Sequence, residues 1–278
     1  MEISISNYKS IKKVRMKLGR VTVLLGPPFV GKSNLLEGIA LATYFDRYVF
    51  VDRQPLSKLV RTDKISDLFN DLAKTVEISI STDEWYRSLR IYFLVDTPYI
   101  DLSCCSKANY SSVPLREADN DDLFMYNKKR YQIQIDQIDA LLKHEENVVA
   151  RLYGFDRFKD DIINSMINGS ELESPRLLLR EDGKNIGAVA KNQLEVIRDV
   201  NAELAELSRV EVKLLDDGRV VVFDNDIAMK PSAISDSVFR ILYNLLGLSS
   251  ATFFAKFHGL EGRTVVLLEE PEGQLFPQ

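Results

Sequence analysis

One stretch constrains this chain more than any other: Gly26-Pro27-Pro28-Phe29-Val30-Gly31-Lys32-Ser33 satisfies the pattern G-x-x-x-x-G-K-[ST]. An apolar run, Val21 to Leu25, leads into it, and Ser33-Asn34-Leu35-Leu36-Glu37-Gly38-Ile39-Ala40-Leu41 leads out with helical spacing. The order predicted is strand, loop, helix. In that context backbone N–H groups of the loop and of the first helical turn converge on phosphate oxygens, and the helix N-terminus adds its partial positive charge. Lys32 then reaches the β- and γ-phosphates, and the Ser33 hydroxyl is placed to bind Mg²⁺. Residues 26–34 are accordingly the candidate nucleotide-binding set. Two of them sit awkwardly there, because Pro28 removes an N–H donor and Phe29 cannot adopt positive φ as cheaply as glycine.

At 278 residues, 45% of them apolar, the chain has material for one large domain or two modest ones with a proper core. The balance of 36 basic against 41 acidic residues gives −5, which argues against a chain that coats nucleic acid indiscriminately. The densest basic cluster is Lys9, Lys12, Lys13, Arg15, Lys17 and Arg20, read first as the solvated face of a hairpin and second as a nucleic-acid contact. Cys104 and Cys105 are adjacent, so a disulfide between them would be strained and two thiols do not close a zinc site. No apolar run approaches the about 18 residues of a membrane span, and the N-terminus lacks signal-peptide character. A soluble, cytoplasmic protein is expected, with no membrane partner.

Ile3 and Ile5 alternate with serines in a half-buried strand ending near Asn7-Tyr8. Strands are expected at 21–25, 75–80 and 89–95, the last two an antiparallel pair joined around Asp83, and the helix after the loop fades near Asp46. Residues 103–130 are Ser-, Asn- and Asp-rich and read as a mobile connection. An apolar stripe from Ile135 to Leu152 predicts a helix starting at Tyr131, and a second helix around Lys159 to Ile167 ends at an Asn168-Gly169 left-handed cap. Together they suggest an inserted helical lobe. A further helix runs from Ile186 to Leu207, a hairpin turns at Asp216-Asp217-Gly218, and Ser235-Asp236 opens another helix. Thr264-Val265-Val266-Leu267-Leu268 is short, apolar and β-branched, as in a central buried strand. The domain reading is 1–102 and 176–278 as the two parts of a nucleotide-binding domain, with 103–175 as connection and lobe.

A phosphate loop needs a partner carboxylate at the tip of a neighbouring strand. Leu267-Leu268-Glu269-Glu270 is the strong candidate: Glu269 for the metal and Glu270 as general base toward water. The competing reading is a solvated strand end.

More than two hundred residues separate Lys32 from Glu269, and no N-K-x-D element for guanine is present. That spacing, together with Asn7-Tyr8-Lys9-Ser10 before the loop and Glu269-Glu270-Pro271-Glu272-Gly273-Gln274-Leu275-Phe276-Pro277 at the end, resembles the ABC-type ATPase heads of the SMC, RecF and OLD group. Their pattern is "N-F/Y-K-S", Walker A, a signature, and a Walker B followed by "P-E-x-x-L-H-P". Ile234-Ser235-Asp236-Ser237-Val238-Phe239-Arg240 is similar to the "L-S-D-G-T-x-R" signature, with Ser237 in place of its glycine. The resemblance implies an α/β P-loop NTPase fold with a mixed central sheet, an antiparallel β subdomain and the inserted lobe. It implies binding of ATP and Mg²⁺, and a homodimer sandwiching two nucleotides. Ser235 would touch the γ-phosphate across the dimer, with Arg240 supporting the motif; the competing reading of Ser235 is a helix cap. Gln132 and Gln134 are candidates for the glutamine that links metal to lobe. The resemblance further implies a strand and a switch histidine after Glu270, for which neither His144 nor His258 is placed. Either the chain is a fragment, or those parts come from elsewhere, or hydrolysis is impaired.

The function expected is that of an ATP-hydrolysing head driving a partner in DNA repair, maintenance or defence. Candidate partners are a nuclease or another protein, and DNA. The alternative is a nucleotide-responsive dimerisation module with little turnover.

Overall fold

A computed structural model describes residues 1–44, 59–62, 65–71, 73–82, 86–94, 97–104, 109–114, 116–117, 124–126, 129–132, 149–169, 178–207 and 210–270. The chain divides into two compact units, Met1–Ala150 and Arg151–Gln278, whereas the composition shifts place boundaries at 102 and 175. The described residues form a mixed α/β structure with several separate sheets.

The first unit is built on a six-stranded sheet of β1 (Glu2–Tyr8), β2 (Ile11–Lys17), β3 (Thr75–Ser81), β4 (Tyr86–Leu94), β5 (Thr97–Cys104) and β6 (Asn109–Pro114), in the order β2-β1-β3-β4-β5-β6. Every neighbouring pair is antiparallel. Register follows the alternation in sequence: Ile3 and Ile5 pair with Ile80 and Ile78, which pair with Arg87 and Leu89, so one face of the sheet is nearly continuous aliphatic core. Helix α1 (Lys32–Ala42) covers that face across β1, β3 and β4. It lies close because Gly38 carries no side chain; a Cβ there would meet Ile5 Cδ1 at 2.7 Å. On β2 the residues Lys12, Lys13, Arg15 and Lys17 are exposed, as the solvated-hairpin reading expects, but Lys9 turns inward.

Three expectations for this unit are corrected. Val21 to Leu25 forms no strand: Val21, Val23 and Leu25 are 83%, 72% and 89% exposed. Apolar alternation makes a strand only where a ladder partner is available, and β1 is already paired on both sides, by β2 and β3. The helix after the loop ends at Ala42, capped at Thr43, short of Asp46. The supposed mobile connection instead holds β6, the end of β5, and a small sheet of β7 (Arg116–Glu117), β8 (Phe124–Tyr126) and β9 (Lys129–Gln132). β5, itself paired on β4, recruits the polar β6, and β7 and β8 pair on β9, all despite their turn-like composition.

The expected helix from Tyr131 is also overturned at both ends, since Tyr131 lies in β9 and Val149–Tyr153 form strand β10. All five β10 residues are buried, a fully buried run that short-range periodicity confuses with a helix. Its middle, 133–148, falls outside the described residues, as do Asp46, Asp83, Cys105, Gln134, His144 and Pro271 to Gln278.

In the second unit β10 pairs with β14 (Thr264–Leu268) in a two-stranded sheet. Only Leu267 of β14 is fully buried, so among the described residues it is not the central buried strand expected. Around this pair lie α2 (Lys159–Asn168), α3 (Ile186–Asn192), α4 (Leu194–Leu207), the antiparallel β11 (Val210–Leu214), β12 (Val220–Asp224) and β13 (Ile227–Ala228), and α5 (Asp236–His258). The single helix expected over 186–207 breaks at Gln193, whose φ of −130° and ψ of 71° lie outside the helical region. Gly169 has positive φ, 88°, but ψ of 162°, so the left-handed cap expected after α2 is not formed. Ile162 and Met166 of α2 belong to the same core as Val200, Phe239 and Leu246, which makes α2 part of this unit's core rather than a separate lobe.

Helix α5 organises that core. Gly247 lets it approach β10, where a Cβ would stand 2.9 Å from the Tyr153 ring, and Tyr243 meets Tyr153 edge-on at 5.5 Å. By length and composition alone α5 could cross a membrane. Its inner face, including Arg240 and Asn244, is buried in the unit's interior.

Candidate functional site

The phosphate-loop residues come together in the first unit. The chain turns at Pro28-Phe29 and enters α1 through Gly31, whose φ of 91° and ψ of 14° are left-handed. Phe29 is left-handed too, with φ of 64°, and its ring is wholly exposed, so no packing offsets the backbone cost. Gly31 has no room for a side chain, because a Cβ would lie 2.9 Å from Ser10 Oγ. The Lys32 ammonium folds across the loop and donates to the carbonyls of Gly26 at 2.7 Å and Pro27 at 2.8 Å. Asn34 Nδ2 donates to Ser10 Oγ at 2.8 Å. No side chain caps α1 and its first turn carries no acidic residue, which leaves backbone donors, the helix dipole and one ammonium facing the same loop. A phosphate fits that donor set.

The acidic pair is built in the second unit, where β14 ends. Glu269 N donates to Tyr153 O at 2.9 Å, extending the pairing one residue past the strand. Its carboxylate meets Arg157: Nε lies 2.5 Å from Oε2, and the side chains are 10% and 9% exposed. Gly154 makes the space, since a Cβ there would come within 3.0 Å of Glu269 Oε2 and Arg157 Cδ. Glu270 then turns outward with φ of 47° and an exposed side chain. Its carbonyl accepts from Arg240 Nη1 at 3.3 Å, while Arg240 Nη2 donates to Asp156 Oδ1 at 2.7 Å. Arg240 is 1% exposed and stands over the Phe155 ring at 4.9 Å.

One turn earlier on the same helix, Ser235 is the N-cap of α5, its hydroxyl accepting from Val238 N at 3.4 Å. Next to it Lys159 pairs with Asp236, and the hydrogen bond it donates to that carboxylate raises the lysine above its ordinary value. Thus Ser235, Arg240, Glu269 and Glu270 share the second unit, and Arg240 links the helix to the segment after β14. Gln132 lies in β9, and the His258 ring packs against Phe254 and edge-on against Phe257 at the end of α5.

The two implied ligands fare differently. For a phosphate, the loop offers the helix-start amides and the Lys32 ammonium, which the Gly26 and Pro27 carbonyls share. For Mg²⁺, the Glu269 carboxylate already has Arg157 as counter-ion, and among the described residues no group of three His, Cys, Asp or Glu could hold a metal. The metal role expected of Glu269 does not fit this arrangement.

Sequence reasoning passed over Arg157, Gly154, Asp156 and Glu37. Glu37 was readable: it is the one carboxylate in the helix and interrupts the apolar run 35–42, and it is fully buried, paired with Lys9 at 2.5 Å and Arg61 at 3.1 Å. A buried charge in an apolar run announces a partner. The Arg157 pairing had no such signal, since 112 residues separate it from Glu269. The second unit also buries an Arg151–Glu181 pair at 2.6 Å, with Tyr243 donating to the Glu181 carbonyl at 2.6 Å.

No protein-family model and no curated protein matches this chain.

Proposed function

We propose that the chain is an ATP-binding and ATP-hydrolysing head that dimerises around its nucleotide and drives a partner in DNA repair, maintenance or defence. The observation that carries this reading is the loop itself: an uncapped helix N-terminus, a left-handed Gly31 and a Lys32 ammonium held across the loop on two carbonyls. In this reading an incoming phosphate displaces the Gly26 and Pro27 carbonyls from Lys32, and the first-turn amides take the remaining oxygens. Glu270, exposed and without a cationic partner of its own among the contacts described, draws the proton from the attacking water. No step is assigned to Glu269, whose charge is occupied by Arg157. ATP binding measured by calorimetry, with Lys32→Ala as the comparison, tests the first claim: equal affinity of the two proteins rejects it. Steady-state phosphate release tests the second, and a wild-type rate no greater than that of Glu270→Gln rejects hydrolysis.

A second reading, a nucleotide-responsive dimerisation module with little turnover, is favoured by the Arg157–Glu269 pair, by Ser235 serving as a helix cap, and by Phe29 in the left-handed region. It expects ATP binding to survive Glu270→Gln with no change in a negligible turnover.

A further inference from the structure

The sequence element Asn7-Tyr8-Lys9-Ser10 has no part in the chemistry above, yet all four residues are tied to something. Lys9-Ser10 is the two-residue turn joining β1 to β2, between the paired Tyr8 and Ile11. Lys9 has φ of 47° and Asn7 has φ of 59°. A turn of this kind ordinarily puts glycine, asparagine or aspartate at positive φ, so lysine there is a conformational cost held in place by its surroundings.

Those surroundings grip the backbone from one side and α1 from the other. Lys9 N donates to Leu68 O at 2.9 Å, Asn70 Nδ2 donates to Lys9 O at 2.6 Å, and Asn70 N donates to Asn7 O at 2.9 Å. Asn7 Nδ2 donates to Thr75 O at 3.1 Å. On the helix side, Lys9 Nζ reaches Glu37 Oε2 at 2.5 Å and Tyr8 Oη donates to the same oxygen at 3.4 Å, with Glu37 fully buried. One turn nearer the loop, Asn34 Nδ2 donates to Ser10 Oγ, the atom that also bounds the space beside Gly31.

We infer that Asn7-Tyr8-Lys9-Ser10 is a positioning bracket for the phosphate loop, with Lys9 fixing α1 through Glu37 and Ser10 fixing its first turn through Asn34. This rests on the phosphate-loop reading above and adds to it the residues that set the loop's geometry. Glu37 and Asn34 are three positions apart on α1, so the two contacts lie on one face of the helix and together oppose its rotation. The rotation of α1 decides where the first-turn amides and Lys32 point. Lys9 is then withdrawn from any polyanion surface, its ammonium committed to Glu37 beside Arg61.

The test uses the full chain in three variants: Ser10→Ala, Ser10→Thr and Lys9→Gly. Ser10 is exposed, so its truncation to alanine leaves the melting temperature nearly unchanged, while ATP affinity falls by about threefold to tenfold, the effect of one lost hydrogen bond. Ser10→Thr keeps the acceptor and restores wild-type affinity. Lys9→Gly separates bracket from turn: it relieves the backbone and improves a mere chain reversal, but the bracket predicts weaker ATP binding. Amide exchange in the nucleotide-free protein is the independent readout, with faster exchange across residues 29–35 in Ser10→Ala and Lys9→Gly. Unchanged exchange and affinity in both variants overturn the bracket, as does tighter ATP binding by Lys9→Gly. If wild-type protein binds no ATP, the proposed function fails; the exchange data still decide whether the turn holds the loop.

Discussion

The Arg157–Glu269 pair makes the sharpest quantitative prediction. Replacing Arg157 with methionine leaves a carboxylate about nine-tenths buried without its guanidinium, in a space so tight that a single Cβ on Gly154 would crowd both side chains. Breaking a buried pair from one side costs about 3–5 kcal/mol, because the remaining charge is stranded in a medium that solvates it poorly. Glu269→Gln alone strands the arginine, which keeps more freedom to reach water through its long stem, so about 2 kcal/mol is expected. The double variant removes both charges and should lose less than the sum, giving a coupling of about 2 kcal/mol or more. Urea unfolding of the four proteins, followed by far-ultraviolet circular dichroism, supplies the cycle. A coupling under about 0.5 kcal/mol would mean that the two side chains ignore each other in solution. The objection that Arg157 raises to a metal role for Glu269 would then fall.

Other expectations concern single sites. Gly38→Ala pushes a methyl into Ile5 Cδ1 at 2.7 Å and should destabilise the first unit by about 1–3 kcal/mol in a thermal melt. Phe29→Asn keeps the left-handed turn with a residue that tolerates it and removes a ring that packs on nothing, so it should stabilise by up to about 1 kcal/mol and leave ATP affinity equal or better. Tyr243 lies deep in the second unit, and burial holds its phenol well above the ordinary tyrosine value, with Tyr153 and Glu181 nearby adding to the effect. The unfolded chain therefore ionises first, and the phenol's contribution is fully present at neutral pH and lost as pH rises above about 10. At pH 7 Tyr243→Phe should cost about 1–3 kcal/mol by leaving the Glu181 carbonyl without its donor. The gap between wild type and variant should narrow in alkaline urea melts; a constant gap refutes the assignment.

Much of the local structure was legible because its causes are local. The alternation at Ile3 and Ile5, the paired strands around Val76 and Ile91, the Asp217-Gly218 turn and the cap at Ser235 all follow from residue-level preferences that no distant partner contradicts. The start of α1 after Gly31 was legible for the same reason, since a glycine and a helix start act within a few residues. Where a distant partner decides, the reading failed. Val21 to Leu25 has the composition of a strand and no ladder, and the polar segments 109–114 and 129–132 have the composition of loops and do pair.

What the sequence determined alone is the local order of residues 26–34, two glycines and a lysine leading into a helix start, on which the proposed anion site rests because such chemistry needs only backbone donors and a lysine in that order. What only the tertiary structure decided is which charges are spent on one another. Lys9 and Arg61 neutralise Glu37, and Arg157 pairs with Glu269. A charged side chain's availability depends on the counter-ion that folding brings beside it and the solvent that folding takes away, and neither is written in the spacing of residues along the chain.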